Sequence, residues 1–165
     1  MRMDLIQPFI GSLDAVLAEM MKAPARVADL AMDEGAYRKS GLAACVGFEG
    51  EIEGRVVLDM DPRAAALVAS FLMGGDVDPS EPIVHETVCE LANMVIGNAV
   101  SQLNDSGYKF RVFPPSLLTE EQCAEADHDS EATILRFETP NGTVHLNIAM
   151  RYHDQFSFEV APVAG

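Results

Sequence analysis

Tryptophan is absent and there are only three tyrosines, so an aromatic platform for stacking sugars or nucleobases is poorly supplied. Cations are scarce as well. Eleven Lys and Arg face 26 Asp and Glu, a formal net charge of −15. A surface of that sign repels phosphate backbones and anionic lipid headgroups unless a local basic patch offsets it. No such patch is visible: the basic residues are dispersed, and only Arg38 and Lys39 are adjacent. The sequence therefore reads against nucleic-acid and membrane binding. It is compatible with solubility alone, or with docking a basic partner surface.

Cysteine is equally sparse. Cys45, Cys89 and Cys123 are odd in number, far apart and without a C-x-x-C pattern. Free, buried thiols in a reducing compartment fit this better than a disulfide framework or a zinc site. No stretch approaches the roughly 18–20 uncharged apolar residues of a membrane span. The N-terminal apolar segment is broken by Asp4, Asp14 and Glu19, and has neither the apolar core nor the cleavage site of a signal peptide. A soluble, cytoplasmic protein is expected.

What is present suits one globular domain over residues 1–165, with 48% hydrophobic and 22% charged residues. Ile6, Phe9, Ile10, Leu13, Val16, Leu17 and Met20 recur at helical spacing, and this first helix ends before Pro24. Ala25–Met32 reads as a short strand or connector. Two β-rich runs, about Leu42–Phe48 and Ile52–Met60, flank Glu-Gly-Glu as a hairpin. Asp61-Pro62 supplies an N-cap and a first-turn proline, and Gly74-Gly75 a stop, so Pro62–Met73 is a helix. The longest helix opens at Ser80-Glu81-Pro82 and runs to about Asp105, with Gly107 as terminator. Tyr108–Phe113 is a strand closed by Pro114-Pro115, and the acidic Thr119–Glu131 a solvated loop. Thr133–Glu138 and Thr143–Met150 flank Pro140-Asn141-Gly142, whose Asn-Gly pair signals a hairpin. Phe156–Val160 is a last strand. The expectation is an α+β fold: an antiparallel sheet of five or six strands with helices packed on one side.

The long helix carries the most informative pattern. Val84, Val88, Leu91, Val95 and Ala99 share one face, which should be the core face. The opposite stripe holds Glu86, Glu90, Asn93, Gly97, Ser101 and Asn104. Residues three or four apart on a helix lie about 5–6 Å apart at Cβ, so Glu90 and Asn93 can act on one target. Asn is a mediocre helix-interior residue because its side chain competes for backbone hydrogen bonds. Gly97, one turn on, costs about 1 kcal/mol relative to Ala. Spacing alone leaves two readings open. One is a carboxylate and a carboxamide presented to a partner, with Gly97 lowering the surface. The other is an ordinary solvated face.

Glu90-Leu-Ala-Asn93-Met-Val-Ile-Gly97-Asn98 resembles the active helix of the CheC/CheX/FliY phosphatases, where a Glu and an Asn three residues later precede a Gly-Asn pair. The likeness extends to the first helix (Phe9, Val16, Leu17), the hairpin Val46-Gly47-Phe48 with Gly54-Arg55-Val56-Val57, and the helix ending Met73-Gly74-Gly75. Two departures are visible. Glu86 stands where the family often has Asp or Ser, and Pro114-Pro115 fall near a family proline without a fixed register. CheC proteins carry two such helices, whereas Glu19 here is followed by Lys22, so one site is implied, as in CheX.

The resemblance implies a phosphatase acting on the aspartyl phosphate of a CheY-like response regulator in chemotaxis. The regulator would bring its own Mg²⁺ and active-site Lys; the enzyme would need no cofactor or metal of its own and would form no covalent intermediate. Asn93 would orient the attacking water, and Glu90 would pair with the regulator's Lys. Glu86 and Gly97 would touch the partner. A homodimer is implied as well, with an exposed sheet edge near the Thr133–Met150 hairpin a plausible contact. The alternative is a non-catalytic adaptor module of the same fold. Competing chemistry is absent: His85, His128, His145 and His153 lack metal-ligand spacing, and no P-loop, dinucleotide fingerprint or nucleophile elbow occurs. His85 falls near the core side of the helix and is expected to be packed. Asn141-Gly142-Thr143 matches a glycosylation sequon but is better explained as the turn. The nine methionines are core filler or an adaptable partner surface.

Overall fold

A computed structural model describes residues 3–21, 26–33, 37–119, 123–124 and 131–152. The first helix, α1 (Met3–Met21), turns the expected stripe inward: Ile6, Phe9, Leu13, Val16, Leu17 and Met20 are all buried. Strand β1 (Arg26–Asp33) follows, then the two-residue β2 (Tyr37–Arg38). The hairpin of β3 (Leu42–Gly50) and β4 (Ile52–Met60) pairs in register from Leu42 opposite Met60 to Phe48 opposite Gly54. Helix α2 (Pro62–Met73) has the bounds its punctuation predicts. The Asp61 side chain accepts the Arg63 N–H at 2.9 Å, and Gly74 closes the helix in the left-handed region at φ 75°. Helix α3 (Ile83–Asp105) is followed by β5 (Phe110–Val112), β6 (Ser116–Leu117), β7 (Cys123–Ala124), β8 (Glu131–Thr139) and β9 (Gly142–Tyr152).

The main sheet has seven strands rather than five or six. Its order is β1-β8-β9-β4-β3-β5, and β6 also pairs with β3; every pairing is antiparallel. The extra strand arises because residues 110–117 run once along β3 but pair with it in two separate segments. Pro114-Pro115, which have no N–H to donate, interrupt the ladder between β5 and β6. Within the expected acidic loop, β7 pairs with β2 in a separate two-stranded sheet. The expected strand Phe156–Val160 lies outside the described residues.

The helices cover one face of this sheet, as α+β patterning predicts. Val46, Phe48, Val56, Leu58, Leu135, Phe137, Leu146 and Ile148 join α1, α2 and α3 in one core cluster. Phe9 of α1 stacks on Phe48 of β3 with ring centroids 6.4 Å apart. The opposite face holds a smaller group around Tyr37, Ala43 and Val57. Its buried polar side chains are bonded. Asp59 accepts from the Tyr37 hydroxyl at 2.7 Å and from the Ser40 and Gly41 amides at 2.6 and 2.8 Å. Arg55 donates to Asn147 Oδ1, and Asn147 donates to the Thr133 carbonyl. That satisfaction is what allows charged groups to lie under a covered face.

The β8–β9 turn differs in detail from the expected Asn-Gly hairpin. Thr139 pairs with Gly142, so Pro140 and Asn141 are the central residues. Proline's ring fixes a negative φ, which excludes a type I′ turn; Gly142 takes the positive φ instead, at 122°. Gly142 is also crowded. A Cβ there would lie 2.6 Å from the Asp61 side chain, and the Asp61 N–H donates to the Thr143 carbonyl at 3.0 Å. The hairpin and the cap of α2 are therefore one unit. Gly142→Ala should lower stability by about 2–3 kcal/mol in urea denaturation, combining backbone strain with a displaced cap. A loss under about 1 kcal/mol would show that the two can separate freely.

Candidate functional site

Helix α3 is buried more broadly than a single stripe. Besides Val84, Val88, Leu91, Val95 and Ala99, it buries Thr87, Ala92, Ile96, Val100 and Leu103. The reason is that α1 lies along one flank while the sheet supports the other. Ser12 of α1 donates its hydroxyl to the Val95 carbonyl at 3.0 Å, tying the two helices together two residues beyond Asn93. A serine on the otherwise apolar stripe of α1 was the sequence signal for that tie. Each large apolar side chain fully buried stabilises by about 1.5–3 kcal/mol. That easily exceeds the ~1 kcal/mol helix penalty of Gly97.

What remains of α3 is a narrow solvent-facing ridge. Glu86, Glu90, Asn93, Met94, Gly97, Asn98 and Ser101 are exposed on it. All four residues singled out from the sequence, Glu86, Glu90, Asn93 and Gly97, thus share one face, spread over about 16 Å of helix at 1.5 Å per residue. Neither the Glu90 nor the Asn93 side chain hydrogen-bonds to another described residue, so a carboxylate and a carboxamide stand one turn apart, open to a visitor. The space beside Gly97 is empty: a Cβ built there would meet nothing within 4 Å. Internal packing therefore does not require glycine at that position. His85 is exposed rather than packed, because the core face begins at Val84 and the next buried position is Thr87.

Among the described residues, no group of three or more His, Cys, Asp or Glu is placed to hold a metal ion. No described helix is long and apolar enough to cross a membrane. Cys45 and Cys89 are free and half-buried rather than fully buried.

Residues 42–138, more than half of the chain, match the protein-family model described as "Chemotaxis phosphatase CheX". The chain belongs to the CheX family. Solved structures agree on the fold. A CheC-like superfamily protein from Shewanella sp. PV-4 is 24% identical with a TM-score of 0.79, over 92% of this chain and 99% of that one. The CheX–CheY–BeF3–Mg complex from Borrelia burgdorferi contains a chain 30% identical, with a TM-score of 0.65 over 91% of this chain and 99% of that one. FliY from Thermotoga maritima is similar at 18% identity and a TM-score of 0.62, over 86% and 84% of the two chains. No curated protein matches this CheX-family chain in sequence.

Cys89 sits beside Glu90 at the edge of the ridge. Partial burial, and then the neighbouring Glu86 carboxylate, push its thiol above the ordinary range. A raised value keeps the neutral thiol at neutral pH, and the thiolate is the nucleophile. Alkylation of Cys89 by iodoacetamide should therefore be slow at pH 7.5 and climb only at more alkaline pH than for an unfolded cysteine. Glu86→Gln should shift that climb toward lower pH. Rapid labelling at pH 7, read by peptide mass spectrometry, would contradict this.

Proposed function

We propose that this CheX-family protein dephosphorylates a CheY-like response regulator, using Asn93 and Glu90 on the exposed ridge of α3. The observation that carries the reading is the pair itself: two free polar side chains, one turn apart, on a helix whose other faces are held by the core. Phosphoryl transfer asks a protein chiefly to position the attacking water and to balance charge. A carboxamide both donates and accepts, so Asn93 can hold a water by one atom while its other atom bonds the phosphoryl group or the regulator's backbone. Glu90 pairs with the Lys of the regulator's active site and sets the docked geometry; it is not the base. Mg²⁺ arrives with the regulator, as the content of the Borrelia complex suggests by analogy. Glu86 and Gly97 border the same contact. The protein is expected to work in the cytoplasm as a homodimer.

The test follows decay of a Mg²⁺-loaded, phosphorylated CheY-type regulator from the same cell. Wild-type protein should accelerate the loss of phosphate. Asn93→Ala should lower turnover about 100-fold or more, within the range for losing one positioned catalytic contact, while binding persists. Glu90→Ala should act mainly through weaker docking, a higher KM. Loss of turnover with unchanged docking in Glu90→Ala would contradict that division of roles. Binding without accelerated decay by wild type would favour the adaptor reading.

A further inference from the structure

Among the described residues of the helical layer, Arg63 is the only Lys or Arg. Residues 64–108, which span nearly all of α2, the connector and α3, contain no Lys or Arg, yet they carry Asp76, Asp78, Glu81, Glu86, Glu90 and Asp105. Helix α1 adds Asp4, Asp14 and Glu19, again with no cation. The single Arg of α2, Arg63, is already paired with Asp61 at 3.1 Å. The described helical layer therefore carries a clear excess of negative charge.

At one end of that face stands an apolar ridge. Phe71, Leu72 and Met73 are consecutive and 41%, 40% and 63% exposed. They are not a frayed terminus. The Gly74 N–H donates to the Ser70 carbonyl at 3.0 Å, and the Ser70 hydroxyl donates to the Ala66 carbonyl at 2.8 Å. The same hydroxyl accepts the Val77 N–H at 2.9 Å, pinning the connector back on α2. Val77 itself packs against the core. The ridge and the first turn of α3 are thus the two ends of one short, tethered connector, and Glu90 lies seven residues into α3, about 10 Å along its axis.

We propose that Phe71–Met73 anchors the docked regulator, in an apolar socket ringed by Lys or Arg on the regulator's surface. This rests on the proposed function for the identity of the partner. Apolar side chains on an anchored backbone, followed in the chain by Asp76, Asp78 and Glu81, match the anatomy of an interface core with a polar rim. The sign selects the occupant. A second copy meeting through this face would set two anionic layers against each other, and like-charge juxtaposition opposes such pairing. A surface of opposite charge is attracted instead, with an association that weakens as salt rises.

The experiment measures binding of the full chain to the CheY-type regulator loaded with Mg²⁺ and beryllofluoride, by calorimetry at 50 and 300 mM NaCl. Leu72→Ser/Met73→Ser should weaken binding about tenfold or more at both salts, with an unchanged circular dichroism spectrum and unchanged sedimentation. Asp76→Lys/Glu81→Lys, which disturbs no core contact, should weaken binding at 50 mM and approach wild type at 300 mM. Unchanged affinity in the serine variant overturns the proposal. So does a serine variant that loses self-association, which would assign the ridge to a second copy, or wild-type binding that is insensitive to salt or undetectable. Hydrolysis is followed separately. Wild type that binds through the ridge without dephosphorylating would sink the phosphatase reading and leave the docking surface standing. Normal turnover with unchanged KM in the serine variant would do the reverse.

Discussion

Everything at the candidate site depends on α3 being held from two sides. The sheet supports one flank through residues such as Val46, Phe48 and Leu58, and α1 supports the other through its apolar stripe and the Ser12–Val95 hydrogen bond. A helix packed on one side only could tilt or slide, and a side chain displaced by 1 Å can lose much of a positioned reaction. Here the buried faces leave the exposed ridge few ways to move. That is the condition under which two short polar side chains can act without further machinery, because precision comes from the scaffold rather than from a network around them.

The same packing explains why the ridge can carry poor helix formers. Gly97 and Asn93 weaken α3 locally by an amount set by propensity, while the core contacts of Leu91, Val95 and Ile96 each contribute more. Departure from the best helix sequence is therefore tolerated only at positions whose loss the core can absorb. The empty space beside Gly97 sharpens the point. Where glycine relieves no internal clash, the chain has accepted an avoidable destabilisation on a surface next to two unpartnered polar groups.

Much of this was legible in the sequence, for reasons that differ by element. Helix α2 announced both ends, because Asp-Pro and Gly-Gly act through local backbone chemistry that tertiary context does not alter. The inward stripe of α3 was legible from period alone, and so was the shared face of Glu86, Glu90, Asn93 and Gly97. Its width was not, since periodicity cannot reveal that α1 would cover a second flank; His85 was misplaced for a related reason, lying at the edge between two faces. The β8–β9 hairpin was recognised but its turn was displaced by one residue. With Thr139 opposite Gly142, Pro140 and Asn141 became the central residues, and because proline's φ is negative that pair cannot form a type I′ turn; Gly142 carries the positive φ at the start of β9. Strands β6 and β7, two residues each, have no periodicity to read. They exist through pairing with distant segments.

The charge distribution and the proposed chemistry constrain each other. An anionic face is a poor place to bring a phosphoryl group, whose own oxygens carry negative charge, unless the approaching partner supplies the compensating cations. On the proposed reading it does: Mg²⁺ and Lys stay with the regulator, and this chain contributes only what those cations lack. Two functions remain to be filled, a docking counter-charge for the Lys and a holder for water. Glu90 suits the first because it meets a cation. For the second, a carboxylate at position 93 would place another negative charge beside the phosphoryl oxygens and could only accept hydrogen bonds, whereas the neutral carboxamide of Asn93 avoids that repulsion and offers a donor as well. The division of one charged and one neutral side chain along a single helical turn is thus what electrostatics favours when the metal belongs to the substrate.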